Sequence, residues 1–377
     1  TSKKLQQKIF DTLNIHMRSD VDIGVCLSGG LDSSILLSSI YHTQKEREKI
    51  KCLSVEFENE FSEKKWINNV TNQHGFHSEI IQFTKKDFLT SIKPMMKIQE
   101  APIGGLMNCA MSLIFKRCNE LGIRVMQDGT GLDEAFGGYQ QHHNIYVRSL
   151  KNKNKNILNK AINEYCDNWN INKSIFLNDF EKDIDYGELA LDGTIPFRHN
   201  LLNFNVLNYV KNDYSSNFSN DNLKISLINS IIENKIPRNT RMKDKLSMAY
   251  SVELRLPFLD HRIIEFGLSL PDEFMFRNGW SKSILRNSFK NILSNEVRLA
   301  PKRSIQAPQG KWLADPMFKE YVYDILNSET FKTLELFKIK DCINSYEEYL
   351  KKPSDNSAFI WQWINIFEWF ETFIKNK

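Results

Sequence analysis

The sequence predicts an α/β fold, a parallel sheet with helices on both faces, and three observations lead there. Short apolar runs of strand length recur at 21–27, 50–57, 78–83 and 123–127. Helix-length segments separate them, which is the alternation that builds parallel sheets. Two of the runs lead into small, glycine-bearing loops that open helices, at Ser28 and at Asp128.

Residues 1–20 read as a polar helix leading into the first strand. The loop at Ser28 and its helix end in a charged turn over 44–49. Strand 50–57, a helix over 63–74, strand 78–83 and a helix from about Lys86 follow. An amphipathic helix spans 108–121 and stops at Gly122; strand 123–127 comes next. In open α/β sheets ligands bind beyond the C-terminal strand ends. The loops at Ser28, after Val55 and at Asp128 should therefore share one crevice.

From about Tyr146 the texture changes. A Lys/Asn run fills 151–156, and helices are expected at 157–169, 201–211, 223–233, 243–250, 262–269 and 281–293. The stretch 359–373 is dense in aromatics, with Gln362, Asn365, Glu368 and Glu371 every third residue. That spacing makes one polar stripe on a largely buried helix, with its tryptophans in the core. The expected division is an α/β core over 1–145 and a mainly helical part over 146–377.

The 377 residues suffice for one large or two closely packed domains. A net charge of +4 and the lack of a basic tract interleaved with aromatics argue against nucleic acid as the main partner. Six cysteines without a Cys-x-x-Cys pair read as reduced, which suits a cytoplasmic protein. No signal peptide or membrane-spanning apolar run is visible. The start at Thr1 suggests an excised piece. No histidine has metal-ligand spacing; His74, His77, His142 and His143 read as surface or core residues.

The richest stretch is Ser28-Gly29-Gly30-Leu31-Asp32-Ser33-Ser34 between a strand and a helix. A helix N-terminus offers unpaired N–H groups to anions. Gly29 and Gly30 let backbone approach a phosphate, and Ser28, Ser33 and Ser34 can add hydroxyls. The alternative is a serine-rich helix cap. Asp32 would repel a bare phosphate; a divalent cation between them removes the conflict. The loop thus implies a metal–phosphate complex, most simply Mg²⁺ with ATP. It is neither Gly-x-x-x-x-Gly-Lys nor Gly-x-Gly-x-x-Gly.

A second loop, 127–139, contains Asp128-Gly129-Thr130-Gly131-Leu132-Asp133-Glu134 and ends Phe136-Gly137-Gly138-Tyr139. Carboxylates at a helix start are favoured by the dipole alone. The functional reading makes Asp133 a second metal carboxylate beside Asp32.

The first loop resembles the pyrophosphate loop of the ATP-pyrophosphatase superfamily, whose fold is Rossmann-like. The two loops together resemble the synthetase domain of glutamine-dependent asparagine synthetases. Asp244-Lys245-Leu246-Ser247-Met248, continuing to Glu253-Leu254-Arg255-Leu256-Pro257-Phe258-Leu259-Asp260, matches a third motif of that family, with Lys245 for the usual Arg. Lys282-x-x-Leu285-Arg286 and the run from Pro301 through Lys302 to Pro308 resemble the family's lysine-bearing loop.

The resemblance implies that aspartate is adenylated by ATP and that ammonia then displaces AMP to give asparagine. It assigns Ser28, Gly29, Gly30, Asp32 and Ser33 to pyrophosphate and Mg²⁺, and Asp133 to the metal. Cys26, Leu27, Val55, Asp128 and Gly129 would line the AMP site. Lys302, with Asp133 and Thr130, would serve the chemistry, Lys302 by stabilising charge on the phosphates. Thr130 stands where many members carry Glu or Gln, and Ser304 replaces a common Gly. Segment 99–108 should border the acceptor.

Glu253 and Arg255 read as a structural pair on an extended segment, and Asp260 as a helix cap. The family's N-terminal glutaminase domain, with its leading cysteine nucleophile, is absent here. Ammonia would come from such a domain in the longer protein or in trans, and a homodimer is admitted. The competing readings are an amidotransferase acting on a sugar uronic acid or peptide carboxylate, and a non-catalytic nucleotide-binding scaffold.

Overall fold

A computed structural model describes residues 1–58, 61–180, 198–203, 205–206, 222–301, 308–353 and 357–375 of the protein. Helix α1 (Ser2–His16) leads into β1 (Ile23–Cys26), and α2 (Leu31–Thr43) follows. Next come β2 (Ile50–Glu56), α3 (Lys64–His74), β3 (Ser78–Gln82), α4 (Lys85–Gln99), α5 (Leu106–Glu120), β4 (Val125–Gln127) and α6 (Leu132–Phe136).

The sheet has five strands in the order β3-β2-β1-β4-β5, all parallel. The fifth, β5 (Glu253–Arg255), comes from the second half of the chain and pairs with β4. The expected extended segment is thus a true strand. Strand order reverses between β1 and β4, so the ligand crevice of such a sheet opens at the ends of these two.

Alternation within the strands sends side chains to two separate cores. Ile23 and Val25 of β1 and Ile50 and Cys52 of β2 pack with Leu5, Ile9, Leu36, Ile40, Ile284 and Phe289. Leu53 of β2 and Met126 of β4 face the opposite core, with Phe88, Phe115, Trp312 and the C-terminal helices. Both faces are covered, as a parallel sheet requires.

The rest of the described chain is mainly helical. The expected helix over 243–250 is longer, Lys235–Ala249, with Pro237 in its first turn, where no intrahelical N–H is needed. The expected helix over 281–293 is short, Ser283–Ser288. Most of the one expected over 201–211 lies outside the described residues. The aromatic helix is Ala358–Phe370, with Trp361 and Trp363 buried in the core.

Its polar stripe has a use. Asn365 and Glu368 are buried. Asn365 accepts from the Ile103 N–H at 2.9 Å and donates to the Ile103 carbonyl at 2.8 Å. Trp361 donates to the same carbonyl at 3.1 Å. Segment 99–108 is thereby clamped to the helical part.

Candidate active site

The loop at Ser28 folds on itself. The Ser28 N–H donates to Ser33 Oγ at 3.2 Å, and the two hydroxyls lie 3.1 Å apart. Gly29 has φ +66°, and a Cβ there would sit 2.9 Å from the backbone nitrogen of Ile67. Its glycine is therefore demanded by the close passage of α3 as well as by the turn. Among the described residues a Cβ at Gly30 would meet only Ser28 Oγ, at 3.3 Å. No side chain caps α2 at Gly30, and a helix N-terminus of this kind suits an anion. Ser34 is fully buried, so its hydroxyl does not join Ser28 and Ser33 at the loop surface.

The loop at Asp128 lies against the first. A Cβ on Gly129 would come within 3.2 Å of the Ser33 nitrogen. A Cβ on Gly131, at φ +124°, would come within 3.0 Å of the Phe258 backbone. Asp32 and Asp133 each occupy the first turn of a helix, α2 and α6. Gly138 makes room for the second: a Cβ there would fall 1.7 Å from Asp133 Oδ1.

Between the two carboxylates stands Lys282. Its Nζ is 2.6 Å from Asp32 Oδ1 and 2.8 Å from Asp133 Oδ1, and the residue is only 4% exposed. Burial opposes its charge, but the two carboxylates outweigh that and raise its pKa above the ordinary lysine value. Its backbone is left-handed, φ +53°, a conformation that costs a non-glycine residue on the order of 1 kcal/mol. Lys282 caps the helix Ser283–Ser288, whose Ile284 and Leu285 are core residues. The core thus drives the lysine into the crevice. The signal for this residue was in its Lys-x-x-Leu-Arg motif, but nothing in the sequence said that it meets both aspartates.

Arg286 secures the position. It is buried and donates to the carbonyls of Ser281 at 3.0 Å and Ala300 at 3.1 Å, and to that of Arg298. Burial pulls its pKa down to about 10, against the pull of Asp32. It fixes the chain two residues before Lys302, which itself lies outside the described residues, as does Ser304.

Asp128 and Thr130 form a different group. The Asp128 carboxylate accepts from Lys243 Nζ at 2.8 and 2.9 Å and from the N–H and hydroxyl of Thr130. Lys243 donates also to Thr130 Oγ1 at 2.7 Å. Burial raises the Asp128 pKa, but the Lys243 charge and these hydrogen bonds prevail and hold it below the usual carboxylate value. The Thr130 hydroxyl is committed to this network. Sequence reasoning missed Lys243; the Thr in place of Glu or Gln was the only hint.

Other expected site residues fall at the same sheet edge. Cys26 and Val55 are half-buried at the ends of β1 and β2, and Leu27 is buried just beyond. Burial, reinforced by Asp128, pushes the Cys26 thiol far up, so it stays neutral. Arg255 pairs with Glu253 at 2.7 Å and donates to the carbonyls of His16 and Arg18, bracing the end of α1. Asp260 caps the helix His261–Ser269.

The donor set suits a metal that arrives with phosphates. Among the described residues no three His, Cys, Asp or Glu side chains are placed to hold an ion. Mg²⁺ commonly takes one or two carboxylates and fills its remaining positions with phosphate oxygens and water. Asp32 and Asp133 beside an uncapped helix N-terminus fit that requirement.

The asparagine synthase family model matches residues 4–371. The chain belongs to this family. It is 25% identical to asparagine synthetase [glutamine-hydrolyzing] 1 of Bacillus subtilis, over all of this chain and 60% of that protein. A putative asparagine synthetase [glutamine-hydrolyzing] 2 of Methanocaldococcus jannaschii is 30% identical over 37% of this chain and 26% of its own length. Amidase chry2 of Gibberella zeae is 20% identical over 84% of this chain and 54% of its own. The chain therefore spans 60% or less of each of these relatives. No helix among the described residues is long and apolar enough to cross a membrane.

Proposed function

We propose that this chain is an ATP-dependent amide-forming unit that adenylates the β-carboxylate of aspartate and transfers the acyl group to ammonia. The observation that carries the reading is the meeting of Asp32, Lys282 and Asp133 at the crevice between β1 and β4. An aspartate oxygen attacks the α-phosphorus while the bond to pyrophosphate breaks. Ammonia then attacks the acyl carbon, AMP leaves, and the nitrogen sheds a proton. Asp32 and Asp133 would hold Mg²⁺, which supplies charge neutralisation on the phosphates. The Ser28–Ser33 loop and the start of α2 would bind pyrophosphate oxygens through N–H groups.

Lys282 would stabilise the charge that grows on departing pyrophosphate, with Lys302 as a second cation. Cys26, Leu27, Val55, Asp128 and Gly129 would line the AMP, and the clamped segment 99–108 would border the acceptor. The ammonia source is a glutaminase domain, in the same protein or in trans, since the relatives from Bacillus subtilis and Methanocaldococcus jannaschii are named as glutamine-hydrolyzing.

The test is pyrophosphate release by the purified chain with ATP, Mg²⁺ and ammonium across candidate acceptors. Aspartate-dependent release with asparagine formed is expected. Release with a uronate or peptide but not aspartate would change the acceptor. ATP binding with no release on any acceptor would make the chain a scaffold.

A further inference from the structure

We propose that Gln309 is a positioning residue for the acceptor: its side-chain amide fixes the start of α5, and with it the segment 99–108, to the chain that follows Lys302. On the adenylating reading above, which this deepens, that segment borders the acceptor. Gln309 stands seven residues after Lys302.

Helix α5 starts without a cap of its own, because its N-cap residue is Gly105 and no side chain is on offer there. A helix start ordinarily takes a side-chain oxygen from the residue just before it. Here the Leu106 N–H donates to Gln309 Oε1 at 3.0 Å, across 203 residues of chain. The backbone at Gly105 is shaped for this contact. With φ +113° and ψ −171° it lies in a region essentially confined to glycine. A Cβ there would fall 2.8 Å from Gln309 Oε1.

The amide itself starts from a fixed backbone. Gln309 opens the short helix Gln309–Leu313, whose Trp312 and Leu313 are core residues. The Tyr349 hydroxyl donates to the Gly310 carbonyl at 2.6 Å, and the Tyr346 hydroxyl to the Leu313 carbonyl at 2.7 Å. Gln309 Nε2 is 3.5 Å from Ser357 Oγ, which turns Oε1 toward Leu106.

On the segment, the bond closes a span that is already held at its other side. Asn365 takes both the N–H and the carbonyl of Ile103. Only Gly104 and Gly105 lie between Ile103 and the Leu106 N–H. On the partner chain, Arg286 holds the carbonyls of Arg298 and Ala300, just before Lys302. Arg286 belongs to the helix headed by Lys282. The chain on either side of Lys302 is thus tied at one foot to the phosphate half of the crevice. At the other foot it is tied to the acceptor border, by one amide oxygen.

The experiment measures steady-state pyrophosphate release by the full chain with ATP, Mg²⁺ and ammonium, varying aspartate and then ATP. The forms compared are wild type, Gln309→Met, Gln309→Ala and Ser357→Ala, with thermal melts to report folding. Methionine keeps the length of the side chain and removes the oxygen. Both Gln309 variants should raise the aspartate KM about tenfold, the loss that follows when a buried N–H loses its acceptor. Their ATP KM should stay within about twofold of wild type, and so should both constants of Ser357→Ala. A folded Gln309→Met protein with an unchanged aspartate KM overturns the proposal. So does an equal rise of both KM values, which is what a general loss of structure would give. An equal rise in Ser357→Ala overturns it too, since the bond to Leu106 is intact there. Wild type that releases no pyrophosphate with aspartate overturns the aspartate reading itself, and the role of Gln309 falls with it.

Discussion

Two lysines stand at the same sheet edge, Lys282 buried and Lys243 half-buried, and they are built to opposite ends. Lys243 meets one carboxylate, Asp128, and one hydroxyl, Thr130. Charge there sums to zero and the three donors of the ammonium are used. Lys282 meets two carboxylates, Asp32 and Asp133, from two helices. A saturated neutral pair braces a loop. An ammonium shared by acids from two helices ties those helices together. The same residue types, a few residues apart along the loop 128–133, thus make a closed pair within one site in one case and a tie between two helices in the other.

The largest expected break of this contrast is in activity. Asp32→Asn should lower acceptor-dependent pyrophosphate release by about a thousandfold or more, since charge stabilisation at phosphates commonly contributes that much. Its melting temperature should change little. Asp128→Asn should do the reverse, keeping measurable release and losing stability. If Asp32→Asn retains its pyrophosphate release, the assignment of the metal to this pair fails.

Gly138→Ala tests the same pair without touching a charge. Its Cβ would fall 1.7 Å from Asp133 Oδ1 and 2.7 Å from the Asp133 Cα. The carboxylate and its backbone must both shift. A displacement on the order of 1 Å in a catalytic site costs about a hundredfold in rate. Release rates near wild type in a folded Gly138→Ala protein would show that Asp133 is not needed where it stands.

How much of this was legible in the sequence depends on distance along the chain. The Ser28 and Asp128 loops are local signals, strand then glycine then helix, and both landed at one crevice. Asp32 and Asp133 were legible because each lies inside such a loop. Lys282 was not, because its partners are about 250 and 150 residues away, and no periodicity reports a contact at that range. Its left-handed backbone also delayed the start of the expected helix, to Ser283 instead of 281. The strand β5 hid for another reason. Glu253 is exposed and Arg255 is drawn toward α1, so three residues with two charges gave no apolar run. In the C-terminal helix, the stripe at Asn365 and Glu368 was visible, but its partner Ile103 was not.

Asp128 sharpens the stability side. Asp128→Asn leaves the Lys243 ammonium, itself mostly buried, without a carboxylate. Breaking one side of such a pair costs about 3 kcal/mol. Acid titration should show the same group. The folded pKa of Asp128 lies below its unfolded value near 3.8, because Lys243 and Thr130 favour the charged form against burial. A carboxylate so depressed contributes stability that is complete above the unfolded pKa and is lost as pH falls through the folded one. Urea titrations below pH 4 should therefore be less steep in pH for Asp128→Asn than for wild type. Parallel curves would mean that the pair contributes nothing through its charge.

The smallest effect belongs to the third ion pair of this edge, Glu253 with Arg255. The glutamate side chain is 59% exposed, while Arg255 is 21% exposed and holds the carbonyls of His16 and Arg18. Solvent screens the attraction, so Glu253→Gln should cost at most about 0.5 kcal/mol and leave pyrophosphate release unchanged. Arg255→Met should cost more, about 1–3 kcal/mol, because two carbonyls at the end of α1 lose a charged donor. Chemical denaturation of the two variants separates these causes. Equal losses would mean that the ion pair, and not the grip on the carbonyls, is what Arg255 contributes. The contrast drawn between the two lysines would then extend to the rim of the sheet, where even an exposed pair would act as a brace.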